Sequence, residues 1–223
     1  MTPASAELHA YYASRAPYYD AVYLKAERRE DIAFLSRHLP ERLAGREVIE
    51  VACGTGYWTQ HIAPAVSRMV ATDGTAEPLE FARLRPGAEK VVFQQADAYA
   101  LPADLGQFSA AFAGLWFSHI PVAARVPFLH GLHERMSPGA RILFIDNNEV
   151  QLRDFPIAET DGDGNTYQRR KLRDGSMHRV LKNFPSEFDL RALLSPFASS
   201  FTYRSLQNFW LVEYHLRCAA TVA

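Results

Sequence analysis

The sequence predicts a doubly wound α/β fold, a mostly parallel sheet with helices on both faces and an antiparallel strand at its C-terminal end. Three observations carry that prediction. Short apolar runs alternate with helix-length segments through the middle of the chain, the pattern of parallel strands joined by crossover helices. The first of these runs passes through Gly54-Thr55-Gly56 into a helix-like stretch. Two β-rich runs at the end are separated by Gln207-Asn208 alone, a link short enough only for an antiparallel hairpin.

The elements follow in order. Glu7–Ala16 and Glu27–Leu43 read as helices, and Pro17 ends the first near Ala16, because proline disfavours helical backbone in the residue before it. Strands are expected at Glu47–Ala52, Arg68–Asp73, Val91–Gln95, Ser109–Leu115 and Arg141–Asp146. Crossover helices are expected at Tyr57–Ala65, Pro78–Leu84 and Val122–Met136. Ser186 is placed to cap a helix over Phe188–Leu194, and Ser199–Leu206 with Phe209–Arg217 form the edge hairpin. Residues 147–185 interrupt the alternation. Their turn-rich start, Asp161-Gly162-Asp163-Gly164-Asn165, leads into Thr166–Arg173 and Ser176–Asn183, which flank Asp174-Gly175, a strong two-residue hairpin signal. That register sets Arg173 against Ser176, Leu172 against Met177, Lys171 against His178 and Arg170 against Arg179. The insertion is expected over the carboxyl ends of the strands, where such sheets bind ligands.

Composition narrows the function classes. The 223 residues suit one sizeable core, and 48% of them are hydrophobic. Lys and Arg number 24 against 25 Asp and Glu, so the basic excess of a nucleic-acid binder is absent. No run approaches the roughly 20 apolar residues of a membrane span, and the first 16 residues lack the apolar core of a signal peptide. The two cysteines, Cys53 and Cys218, make neither a disulfide framework nor a zinc site. The expectation is a cytoplasmic protein that binds neither membrane nor nucleic acid and holds no metal. The oligomeric state is not legible.

Gly54 and Gly56 allow a sharp strand-to-helix turn and close backbone approach by a ligand. A dinucleotide fingerprint needs a third glycine three residues on; Thr59 stands there. A Walker loop needs Gly-Lys-Ser/Thr, which is missing. Asp73 ends the second strand about where an acid reaches ribose hydroxyls; the alternative is a helix cap. Asp97 follows the third strand.

Glu50-Val51-Ala52-Cys53-Gly54-Thr55-Gly56 resembles motif I of the class I S-adenosylmethionine (SAM)-dependent methyltransferases. Asp73-Gly74-Thr75, Asp97-Ala98, Gly114-Leu115-Trp116-Phe117-Ser118-His119 and Ser137-Pro138-Gly139 resemble that family's later stations in order, so the likeness runs from Glu47 to Arg217. It implies a Rossmann-like seven-stranded sheet in a single domain over residues 1–223, SAM as methyl donor and S-adenosylhomocysteine (SAH) as product. It places Glu50, Ala52, Gly54, Gly56 and Trp58 along the methionine and ribose, with Asp73, Gly74 and Thr75 at the ribose. Asp97 and Ala98 fall at the adenine, and Leu115 and Trp116 beside the sulfonium.

The segment Tyr11-Tyr12 to Tyr18-Tyr19 resembles the leading lid of small-molecule members, within an N-terminal helical region of residues 1–45. There Tyr12, Arg15 and Tyr19 are expected to hold the donor, Arg15 at its carboxylate. His119 is the candidate catalytic base, since imidazole titrates near neutrality. Phe117, His119, Asp146, Asn147, Arg170 and Arg179 are the expected acceptor contacts. Arginines facing each other across a hairpin repel unless neutralised; a solvated face and an acidic acceptor both answer that. The expected reaction is methyl transfer to a small-molecule acceptor, with N-, O- and C-methylation left open. A nicotinamide-dependent reductase on the same sheet and a SAM-binding regulator without catalysis remain as alternatives.

Overall fold

The computed structural model describes residues 3–218. The first two residues of the expected lid region lie outside them. Seven strands form one sheet: β1 (Glu47–Val51), β2 (Arg68–Asp73), β3 (Val91–Gln95), β4 (Phe108–Gly114), β5 (Met136–Asn147), β9 (Ala198–Ser205) and β10 (Phe209–Leu216). Three short strands, β6 (Glu159–Thr160), β7 (Thr166–Lys171) and β8 (Met177–Leu181), form a second, separate sheet. The large sheet runs β3-β2-β1-β4-β5-β10-β9. β1 to β5 pair in parallel, and β10 runs antiparallel to both β5 and β9. The direction of winding reverses between β1 and β4, and ligand crevices in such sheets open at that point beyond the strands' carboxyl ends.

The sheet is buried on both faces, and the two-residue period of its strands shows it. On one face Ile49, Val51, Ala111, Ala113, Ile142 and Phe144 pack against Phe128, Leu129 and Leu132 of α5 (Arg125–His133) and Leu190 and Leu194 of α6 (Glu187–Leu194). On the other, Val48, Ala110, Phe112, Leu143 and Ile145 meet Leu35, Leu39 and Leu43 of α2 (Arg29–Leu43) and Ile62 of α3 (Thr59–Ile62). The four-residue spacing of the α2 leucines makes one helical stripe. Arg42 on that helix donates two hydrogen bonds to Glu213 on β10, at 2.8 and 2.6 Å. At α6 the capping box is complete: Ser186 Oγ accepts from Asp189 N and Asp189 Oδ2 from Ser186 N.

Two expectations are corrected. β5 starts at Met136, so Ser137-Pro138-Gly139 lies within it, with Gly139 at φ 72° and a register shift opposite Phe108–Ala110. The insertion hairpin is one residue out of the expected register. Lys171 faces Met177, Arg170 faces His178, and Arg169 faces Arg179. The reason lies in the turn. Gly175 N donates to Leu172 O and Leu172 N to Ser176 O, with Gly175 at φ 89°. The loop therefore has three residues, ending on a left-handed glycine. The like-charged pair is Arg169 and Arg179, and Glu159 on β6 neutralises it by accepting from Arg179 at 2.9 and 2.6 Å.

α1 (Pro3–Arg15) ends ahead of Pro17, in agreement with the sequence. It packs along β8, where Leu8 and Tyr11 meet Leu172 and Val180. No described helix is long and apolar enough to cross a membrane.

Candidate active site

Past β1 the chain turns on three left-handed residues, Ala52 (φ 54°), Gly54 (φ 56°) and Gly56 (φ 73°). A Cβ on Gly56 would lie 2.9 Å from Ala82, so this glycine lets α4 (Ala76–Ala82) sit against the loop. A Cβ on Gly54 would meet nothing within 4 Å, because that face opens into a cavity. Non-glycine residues in this conformation cost on the order of 1–3 kcal/mol and gather at functional sites. Leu115, just past β4, is the other one here, at φ 58°.

Acidic side chains hold the loop. Asp73 Oδ2 accepts from Gly54 N at 2.9 Å, and its Oδ1 accepts from Thr75 N and Thr75 Oγ1, both at 3.0 Å. A carboxylate has about four acceptor positions, so one is left facing the cavity. Burial raises the Asp73 pKa, against these hydrogen bonds. Glu50, fully enclosed, accepts from Thr59 Oγ1 at 2.6 Å, and burial pushes its carboxyl up to about 8. Thr59 occupies the third-glycine position of a dinucleotide fold, and its hydroxyl is committed to Glu50. Asp97 Oδ1 accepts from Tyr99 N at 2.9 Å, which turns the chain after β3 and presents the carboxylate to the cavity.

The cavity measures about 550 Å³, within the range of small-molecule sites. It is lined by Tyr12, Tyr19, Glu50, Ala52, Gly54, Trp58, Asp73, Gly74, Thr75, Asp97, Ala98, Leu115, Trp116 and His119, among others. All of these were expected from the sequence. The indole nitrogens of Trp58 and Trp116 are buried without a hydrogen-bond partner.

A second cavity of about 140 Å³ adjoins the first. Tyr12, Tyr19, Leu115 and His119 line both. Arg15, Asn147 and Arg170 line the smaller one, together with Lys25, Arg28, Gln151, Phe155 and Lys182. Four expected contacts line neither. Gly56 serves the turn. Phe117 is fully buried in the core against Phe144 and Trp210. Asp146 lies behind the wall, where its Oδ1 accepts from Lys182 Nζ at 2.7 Å and its Oδ2 from Ser118 N at 2.9 Å. Arg179 is turned outward to Glu159 and over the Tyr167 ring. Arg15 lines the smaller cavity and lies over the ring of Tyr19, which lines both.

His119 sits at the junction. Its Nδ1 is 2.6 Å from the Leu181 carbonyl, which can only accept, so Nδ1 carries the proton. Nε2 is then an acceptor, and the Tyr12 hydroxyl donates to it at 2.8 Å. Burial, with Lys182 close by, drives the His119 pKa well below its ordinary value. Burial raises that of Tyr12. Both groups are neutral near pH 7. Burial likewise pushes Lys182 down to about 8, against the attraction of Asp146.

Several working parts were not named from the sequence. Asp20 accepts from Thr55 Oγ1 at 2.6 Å and from Arg85, fastening the segment after α1 to the glycine loop. Tyr23 stacks on Tyr57 with ring centres 3.7 Å apart. Arg28 stood hidden within Glu27-Arg28-Arg29-Glu30, a run that reads as a solvated helix end. Lys182 had a visible signal, a lone cation directly after Val180-Leu181, one that an apolar strand does not need.

Residues 48–139 match the family model described as a methyltransferase domain. A ubiquinone biosynthesis O-methyltransferase from Azotobacter vinelandii is 31% identical over 106 residues, 46% of this chain and 45% of that one. A demethylmenaquinone methyltransferase from Lactococcus lactis is 28% identical over 116 residues, 49% and 45% of the two chains. The chain thus spans just under half the length of these curated relatives. The solved DhpI-SAM-HEP complex covers 96% of this chain and 98% of its own, with a TM-score of 0.78 and 28% identity. At 13% identity and a TM-score of 0.60, the N-methyltransferase NodS from Bradyrhizobium japonicum bound to SAH shares the fold.

Proposed function

Because this chain carries a class I SAM-dependent methyltransferase domain, we propose that it transfers a methyl group from SAM, held in the larger cavity, to a small molecule held in the smaller one. The observation that carries this reading is the shared wall. Two separate chambers meet at Tyr12, Tyr19, Leu115 and His119, as a donor and an acceptor that must touch at one atom require.

The residues of the larger cavity fit the donor. Asp73 has an acceptor position free for a ribose hydroxyl and Asp97 a carboxylate oxygen for an adenine amine, while Gly54 leaves its Cβ side open. Glu50 offers a carboxyl to a cationic amine. Thr59, standing where a dinucleotide fold needs its third glycine and bonded to Glu50, counts against the reductase alternative. When bound, SAM supplies a methyl group on a positively charged sulfur, and the enclosing Tyr12 and Tyr19 rings attract such a cation. Asp20, Thr55 and Arg85 fasten residues 16–22 over the glycine loop. We read the N-terminal segment as a lid and the β7–β8 hairpin as a cap, since together they enclose a space for a small acceptor. The cation lining of the smaller chamber suits an acidic one.

The test is SAH release from the full chain with labelled SAM and a pool of small acids, phenols and amines. Acceptor-dependent label transfer is expected. Tight SAM binding with no transfer to any pool makes the protein a SAM-binding regulator instead.

A further inference from the structure

We infer that the smaller chamber is an oxyanion site, and that the acceptor is a small acid methylated on its own ionised oxygen. This rests on the reading of the larger chamber as the donor site, and it is argued from charge. Five cationic side chains line the smaller chamber, namely Arg15, Lys25, Arg28, Arg170 and Lys182, and no carboxylate does. Two of the five are matched from behind, Lys182 by Asp146 and Lys25 by Asp154 and Glu27. Arg15, Arg28 and Arg170 have no carboxylate within salt-bridge distance among the described residues.

Arg28 is the sharpest case. It is only 4% exposed, its Nη1 is buried without a hydrogen-bond partner, and its guanidinium lies over the Phe209 ring, 5.1 Å from the ring centre. Arg170, also 4% exposed, donates only to the neutral Gln168 and Gln151 and lies over the Phe155 ring. A buried charge left without a counter-charge costs several kcal/mol, and here two of them share one small space. Guanidinium groups bind carboxylates and phosphates in a planar, two-point fashion. An anion between them answers the charge that the protein leaves open. A protonated amine is repelled. Asn147 Oδ1, buried and unpartnered on the same wall, adds a place for a hydroxyl or amide donor on the same ligand.

The chemistry agrees. An ionised oxygen forms its bond to the methyl carbon as that carbon's bond to sulfur breaks. The electron pair of the broken bond stays on sulfur, giving a thioether, and no proton moves. No base is then needed, and the junction provides none. The Nε2 lone pair of His119 is taken by the Tyr12 hydroxyl, its Nδ1 proton by the Leu181 carbonyl, and no acidic side chain lines the chamber. His119 becomes a positioning residue that fixes Tyr12 at the junction.

The test titrates inorganic phosphate and, separately, acetate into the full chain with and without saturating SAH, comparing wild type with Arg28→Met and Arg170→Gln. At least one anion is expected to bind and to raise Tm, and its affinity to fall at least tenfold in both variants while SAH affinity holds. Which anion binds separates a phosphate or phosphonate acceptor from a carboxylate. Without anion, Arg28→Met is expected to melt no lower than wild type, because it removes an unpaired buried charge; a structural arginine gives the opposite. No binding of either anion by the folded wild type overturns the inference, as do variants that bind like wild type. SAH titrated alone reports the donor site independently.

Discussion

Glu50 shows how a single burial choice carries function. Its carboxyl, pushed up to about 8 by burial, is mostly protonated near pH 7 when the chamber is empty of a cation. A bound cationic amine favours the ionised form, so donor binding releases a proton. Affinity therefore rises with pH below about 8, by at most about tenfold per unit, and levels off above it. Calorimetry at pH 7 in buffers of different ionisation enthalpy is expected to show that proton, and Glu50→Gln to abolish it. Asp73 was legible as a site acid from its place after the second strand. Its double duty was not, because the Gly54 and Thr75 donors come from backbone geometry that a sequence does not display. Phe117 failed for a related reason: aromatic residues at strand ends serve core and site alike, and here the fully buried ring joins the core.

At the scale of elements, hydrophobic period and caps were readable and turn detail was not. The capping box at α6 follows directly from Ser186 and Asp189. Ser186→Ala is expected to cost about 1 kcal/mol, seen as a lower urea midpoint with unchanged SAH affinity. The hairpin register slipped because Asp-Gly fits both a two-residue turn and the last two positions of a three-residue loop, and the bonds from Gly175 N to Leu172 O and from Leu172 N to Ser176 O distinguish them. That single residue left Arg170 in the chamber wall and turned Arg179 out to Glu159. The glycine turn carries a sharper prediction. Gly56→Ala places a methyl 2.9 Å from Ala82 at φ 73°. It should destabilise the fold by about 1–3 kcal/mol and weaken SAH binding, both measurable in one thermal-shift series with and without SAH.

For the whole molecule, the sheet order and the place of the ligand crevice follow from strand alternation and the reversal between β1 and β4. What the sequence did not reveal was a second chamber, because its wall draws on the segment just before α2, the end of β5 and the insertion hairpin, segments far apart in the chain. The Lys182–Asp146 pair joins two of them. Both side chains are nearly unexposed and 2.7 Å apart, and breaking such a pair from one side costs about 3–5 kcal/mol. Lys182→Met is expected to lower chemical stability by that order, read from its denaturation curve.

The proposed N-terminal lid belongs to the same scale. Asp20→Asn weakens its tie to Thr55 and Arg85 and should speed SAH dissociation about fivefold, the order of 1 kcal/mol, in stopped-flow fluorescence. An unchanged rate removes the lid reading.

The proposed donor site is the larger chamber, with Asp73 and Asp97 as its two acidic contacts. Calorimetric titration of SAH into the wild-type chain, Asp73→Ala and Asp97→Ala tests it directly. Saturable one-site binding to the wild type and at least tenfold weaker binding to each variant are expected, with all three proteins folded. No binding by the folded wild type, or equal affinity in all three, contradicts it.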